Sequence, residues 1–175
     1  HIRGCTKVSE GCKNCYADTL ASRYGFDVWG PGKPRRTFGD KHWSEPLGWN
    51  RKAEQTGERA RVFCGSMCDW AEDHPTTGEA RERLWPLIRN TPWLDWQLLT
   101  KRPERVAQLL PGDWGAGYAN VWLGTSIENN DYAWRADHLR VIPATVRFVS
   151  YEPALGPLDQ LNLDGLHWML VGGES

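Results

Sequence analysis

Three cysteines stand close together near the start of the chain, in Gly4-Cys5-Thr6-Lys7-Val8-Ser9-Glu10-Gly11-Cys12-Lys13-Asn14-Cys15-Tyr16, with six residues and then two between them. Thiolates are soft ligands, and three of them in one short loop suit zinc or an iron-sulfur cluster. Cys12 and Cys15 can chelate one centre from a tight turn, with Gly11 easing the backbone bend. The count of three is informative. Structural zinc is normally closed by four ligands, whereas a four-iron cluster on three cysteines leaves one iron open to a small molecule. Tyr16 to Tyr24 reads as a helix, so the loop falls at a helix start, where backbone amides favour an anionic sulfur cluster.

Two further cysteines follow at a distance. Cys64 lies inside a strand-like segment and reads as a small buried hydrophobe. Cys68 falls beyond the end of that segment and is either a bystander or a participant in cluster or radical chemistry. A rival arrangement joins Cys12, Cys15, Cys64 and Cys68 into a structural zinc site, leaves Cys5 idle, and makes the protein a binding module for nucleic acid or a partner protein. Glu128, Glu152 and Asp69 offer a third reading, a hydrolase with paired carboxylates as acid and base. Lys101 and Arg102 can bind a substrate carboxylate or phosphate, Lys101 being the better placed. His1, His42, His74, His138 and His167 show no metal-motif spacing and read as surface or capping residues.

The elements that must position these groups alternate. Segments rich in β-branched and aromatic residues, Arg61 to Gly65, Trp96 to Thr100, Asn120 to Thr125, Val146 to Ser150 and Trp168 to Val171, read as strands buried on both faces. Gly78 to Asn90, Glu104 to Leu110 and Tyr132 to Val141 read as helices between them; Pro86 would kink the first or shift its start, and Pro103 suits a first turn. The alternation points to βαβ units and a mainly parallel α/β sheet. Every strand is followed at once by hydroxyls, charges or glycines: Gly65, Ser66 and Asp69; Thr100, Lys101 and Arg102; Thr125, Ser126 and Glu128; Ser150 and Glu152; Gly172, Gly173, Glu174 and Ser175. In a parallel β/α fold these tips share one face, and that face carries the site. A full eight-stranded barrel takes about 200 residues or more, so the expectation is a partial (β/α) barrel of five or six strands.

Composition sets the outer bounds. With 175 residues, 40% hydrophobic and 25% charged, the chain reads as a single domain with enough apolar material for a core, and both ends read as cut, as in a fragment. A formal net charge of −1 argues against a broad phosphate-seeking surface. Lys33, Arg35, Arg36, Lys41 and His42 form a dense basic stretch that reads as a solvated loop. Eleven scattered tryptophans suit core packing and half-buried anchors rather than a base-stacking platform. No apolar run approaches the roughly 20 residues of a membrane helix, no membrane partner is expected, and the clustered cysteines fit a cytoplasmic protein better than a secreted one.

Taken together, the cysteine opening, Gly-Ser-Met-Cys-Asp at 65 to 69, Leu-Thr-Lys-Arg-Pro-Glu-Arg at 99 to 105, Val-Trp-Leu-Gly-Thr-Ser-Ile-Glu-Asn at 121 to 129, Arg-Phe-Val-Ser-Tyr-Glu-Pro at 147 to 153 and Val-Gly-Gly-Glu-Ser at 171 to 175 resemble the three-cysteine phage gene product 37/68 family. That family is itself similar to radical S-adenosylmethionine (SAM) enzymes. The resemblance implies a partial, TIM-barrel-like fold of the radical SAM type, with Cys5, Cys12 and Cys15 holding a 4Fe-4S cluster. The open iron would bind SAM, and reductive cleavage would yield a 5′-deoxyadenosyl radical. A reductant protein such as flavodoxin or ferredoxin would supply the electron. SAM contacts are expected from Ser126 and Glu128, with Ser66, Ser150 and Glu152 completing the pocket beside Lys101 and Cys68. Radical SAM proteins usually space their cysteines by three residues and then two, with an aromatic before the last; here the first gap is six, Asn14 precedes Cys15, and Tyr16 would take the adenine contact. Gly172, Gly173 and Glu174 repeat in letters a segment used near the methionine amine. A phage or mobile-element setting makes the unassigned substrate a nucleotide or nucleic acid, although the chain carries no nucleic-acid motif.

Overall fold

In the computed structural model, which describes residues 2–173, five parallel strands form one sheet in chain order. They are β3 (Ala60–Cys64), β4 (Leu94–Thr100), β5 (Val121–Ser126), β6 (Val146–Tyr151) and β7 (Trp168–Val171). Each pairs with the next in the chain, and the sheet curls into a half-barrel. The fold class is therefore α/β with a partial β/α barrel, as the alternation of segments indicated.

Three helices cover the outer face between strands: α3 (Pro75–Arg89), α4 (Val106–Leu109) and α5 (Trp134–Arg140). The core lies under them. Leu94, Trp96, Leu98, Val121 and Leu123 point outward from the sheet and pack with Leu84, Trp85, Ile88, Leu139 and Ile142. Several of these are fully buried, Ile88, Leu94 and Leu98 at 0% exposure, and each such side chain contributes roughly 1.5–3 kcal/mol. Trp43, Trp70, Trp85, Trp96 and Trp114 are all core residues, and Trp96 Nε1 donates to Thr91 Oγ1 at 3.0 Å, which satisfies its one polar atom.

The opposite face of the sheet, set by the alternation of side chains along each strand, carries Phe63, Leu99, Ser126, Ser150 and Leu170, the last three in register with one another. This inner face corrects one expectation. The edge strands are not buried on both sides: on the inner face Phe63 of β3 is 45% exposed, because a half-barrel has no facing wall opposite it, and on the outer face Val171 at the end of β7 is 70% exposed.

Before the sheet come β1 (Ile2–Arg3), α1 (Tyr16–Arg23), β2 (Arg36–Thr37) and α2 (Asp40–Thr56), with β1 and β2 forming an antiparallel pair. The 17-residue α2 was not legible as a helix, since Pro46 and Gly48 interrupt it. Its buried Trp43, Pro46, Asn50 and Ala53 nonetheless follow helical spacing. The basic stretch is likewise corrected: Arg35 is 6% exposed rather than solvated, and Lys41 and His42 belong to the first turn of α2. Pro86 neither ends nor delays α3, which starts at Pro75 behind the capping His74 and runs through it. No helix among the described residues is long and apolar enough to cross a membrane.

Candidate functional site

The cysteine loop runs from β1 to α1 and lies across the tips of the strands. Two buried ion-pair networks tie it down. Glu72 Oε1 accepts from Thr6 N at 2.7 Å, and the Glu72 carboxylate receives both Arg35 Nε and Nη2 at 2.8 Å. Arg35 Nη1 also donates to Val28 O and Lys33 O, so this one guanidinium joins the loop, the segment after α1 and the segment after β3. Burial alone would raise the Glu72 carboxyl, but the hydrogen bonds and charge of Arg35 outweigh it and hold it below its usual range.

The second network centres on Glu128, just past the end of β5 and 0% exposed. Its Oε1 accepts from Ser9 Oγ at 2.7 Å and from Lys101 Nζ, and its Oε2 accepts from Arg135 Nη1 at 2.8 Å. Gly11 is required here. A Cβ at this position would stand 2.5 Å from Glu128 Cγ, so the loop can rest on Glu128 only with glycine at its turn. Ser9 Oγ also lies 3.7 Å from Cys12 Sγ, and with its single proton on Glu128 it accepts from the Cys12 thiol.

These contacts bring Cys5, Cys12 and Cys15 to the rim of one cavity of about 440 Å³. Of the residues expected from sequence, Tyr16, Ser66, Cys68, Lys101, Ser126, Ser150, Glu152 and Gly173 line the same space. Tyr16 Oη donates to Ser66 O at 2.6 Å, which ties the start of α1 to the tip of β3. Phe63, Leu99, Pro153, Leu170 and Trp29 give the cavity an apolar wall. Glu128 is placed differently: it is an anchor beneath the loop, outside the lining. Gly172 is also outside the lining, and its close approach is to Glu152, whose carboxyl carbon would lie 3.0 Å from an added Cβ. Glu174 lies outside the described residues.

Two of the three carboxylates proposed for a hydrolase, Asp69 and Glu128, are already engaged, whereas Glu152 lines the cavity. Asp69 accepts from Thr100 Oγ1, Lys101 N, Arg102 Nη1 and Ala71 N, and Glu128 accepts from Ser9, Lys101 and Arg135. Cys64 ends β3 and packs against the core, where burial pushes its thiol up to about 11. Cys68 borders the large cavity and a small one of about 30 Å³ beside Cys64; burial, then the nearby Cys64, raises its pKa. Burial, then the charge of Asp69, pushes Cys5 up to about 12 against the opposing pull of Arg102.

The donor set can be weighed against the two metal readings. Among the described residues, no three or more His, Cys, Asp or Glu are gathered so as to hold one metal ion, Cys12, Cys15, Cys64 and Cys68 included. A zinc ion needs its sulfurs at about 2.3 Å from a single point. In a four-iron cluster each cysteine takes its own iron, so the sulfurs stand apart around a shared space. Cys5, Cys12 and Cys15 are likewise not gathered on a single point; they share the rim of one cavity, where sulfurs that each took a separate iron would stand.

Glu72 and Arg135 were not singled out by sequence reasoning, Arg35 only as part of a solvated basic stretch, and Arg102 only as an anion contact. Arg35 and Glu72 stand 37 positions apart, and Arg102 and Cys5 97 apart, so no local spacing could pair them. Over its whole length, residues 1–175, the chain matches the family model described as Protein of unknown function (DUF5131), and it belongs to that family. No curated protein and no solved structure matches it.

Proposed function

We propose that this DUF5131 protein is a radical-SAM-like iron-sulfur enzyme, of the kind its likeness to the three-cysteine phage gene product 37/68 family implies, with a half-barrel of the radical SAM type. Cys5, Cys12 and Cys15 hold a 4Fe-4S cluster, and the remainder of the cavity takes SAM. One observation carries the reading: the three thiols and the polar tips of four parallel strands line a single cavity of about 440 Å³. That volume falls within the roughly 300–1,000 Å³ of small-molecule sites.

When bound, the cluster supplies the electron that splits SAM into methionine and a 5′-deoxyadenosyl radical. The chain's own residues bind, orient and shield. Ser126 and Ser150 stand opposite each other at the ends of β5 and β6, where their hydroxyls can hold polar groups of SAM, and Glu152 and Ser66 complete that polar side. Tyr16, fixed by its bond to Ser66 O, offers a ring to adenine. Phe63, Leu99 and Leu170 limit water around the reacting centre. Lys101, steadied by Glu128, presents a cation to the substrate, and Cys68 is the candidate hydrogen donor.

A reductant protein such as flavodoxin or ferredoxin would deliver the electron. The five free cysteines suit a reducing compartment, and we place the protein in the cytoplasm. The substrate rests on the family likeness alone, which points to a nucleotide or nucleic acid.

The test is metal analysis after anaerobic reconstitution with iron and sulfide. About four irons and four sulfides per chain are expected, lost in Cys5→Ala, Cys12→Ala and Cys15→Ala and retained in Cys64→Ala. Stoichiometric zinc without iron, unchanged by Cys5→Ala, refutes the reading.

A further inference from the structure

Cys5 is the most deeply set thiol of its loop, 8% exposed, whereas Cys12 and Cys15 are partly open. A charged side chain nevertheless reaches its sulfur. Arg102 Nη1 lies 3.6 Å from Cys5 Sγ and 2.7 Å from Asp69 Oδ2, and Nη2 donates to Thr6 O at 2.7 Å. Asp69 is held in turn, because it also accepts from Thr100 Oγ1 at 2.6 Å, Lys101 N at 3.0 Å and Ala71 N at 3.0 Å. Arg102, Asp69 and Thr100 are 8%, 7% and 2% exposed. The guanidinium is thus fixed by three acceptors in surroundings where solvent screens it little.

We infer that Arg102 is a positioning residue that raises the reduction potential of a cluster held through Cys5, with Asp69 setting its guanidinium against the sulfur. This rests on the iron-sulfur reading above. Reduction adds one electron, and so one negative charge, without moving a proton. A cationic N–H on a ligand sulfur stabilises the reduced form more than the oxidised one, and hydrogen bonds to sulfur are among the main determinants of cluster potential. Asp69 and Glu72 offset part of the charge, with Glu72 Oε1 3.9 Å from Arg102 Nη2 but paired with Arg35 at 2.8 Å. The influence on the cluster therefore comes through the directed N–H. Only a planar fork can serve Cys5, Asp69 and Thr6 at once, which a lysine cannot reproduce.

The test is a dithionite titration of the reconstituted protein, followed by electron paramagnetic resonance, in wild type, Arg102→Gln, Arg102→Met and Arg102→Lys. In the Gln and Met variants the equilibrium constant for reduction is expected to fall at least tenfold, a shift of about 59 mV to more negative potential for one electron. The Lys variant shifts less, in the same direction. An unchanged potential in the variants that load iron overturns the inference. So does loss of iron uptake in all three, which would assign Arg102 to holding the loop alone. A wild-type protein that takes up no iron and sulfide instead refutes the cluster reading, a result the variants cannot produce.

Discussion

Gly11 and Glu128 set the position of the cysteine loop. With a Cβ at position 11 only 2.5 Å from Glu128 Cγ, Gly11→Ala must lift the loop or displace a side chain that Lys101, Arg135 and Ser9 hold in place. Such overpacking costs about 1–3 kcal/mol. Gly11→Ala is therefore expected to lower the urea midpoint of the unloaded protein and to reduce iron uptake; unchanged values of both would contradict the packing described. Glu128→Gln leaves Arg135 buried against a neutral partner, and loss of a buried partner of this kind typically costs about 3–5 kcal/mol, readable in the same denaturation experiment. The glycine in the cysteine motif was visible in the sequence as a bend. Its real constraint, a carboxylate 117 positions further along the chain, was not.

At the scale of elements, the Arg35–Glu72 pair joins the residue before β2 to the segment following β3, with both side chains almost fully buried. Arg35→Met strands the carboxylate, at a cost of about 3–5 kcal/mol, and frees Thr6 and the loop behind it. The pair also gives the fold an acid limb. Because the folded pKa of Glu72 is lowered from 4.5, its contribution is present above pH 4.5 and is lost as pH falls through the folded value. Denaturant midpoints measured downward from pH 6 should decline in wild type and more shallowly in Arg35→Met; parallel curves would contradict this. The strands were legible because a parallel sheet needs unbroken runs of β-branched and aromatic residues ending in polar ones. Helix α2 was not, since Pro46 and Gly48 mask a spacing of buried residues that tertiary packing rescues.

At the scale of the whole molecule, Cys5, Cys64 and Cys68 are placed where burial disfavours their ionised form. Burial is the largest cause for Cys64, raised to about 11, for Cys5, raised to about 12, and for Cys68, also raised. A thiol with a raised folded pKa keeps its proton in the folded chain after the unfolded chain has lost it. Its stabilisation is complete below the ordinary value of 9.0 and is lost as pH climbs through the folded values. The unloaded protein should hold a level urea midpoint from pH 7 to 9 and fall steeply above it, with Cys64→Ala flattening the fall. A level midpoint up to pH 11 would contradict it.

The convergence of strand tips on one face was legible because βαβ topology dictates it. The two ion-pair networks that seat the cysteine loop there were not, since they join residues tens of positions apart. The central claim is that this cavity holds SAM against a cluster on Cys5, Cys12 and Cys15. Its most direct test is anaerobic reduction of the reconstituted protein with SAM, followed by chromatographic quantification of 5′-deoxyadenosine. The account predicts 5′-deoxyadenosine in wild type and none in Cys12→Ala. A fully loaded, reducible cluster that forms none, and whose electron paramagnetic resonance spectrum SAM leaves unchanged, would contradict it.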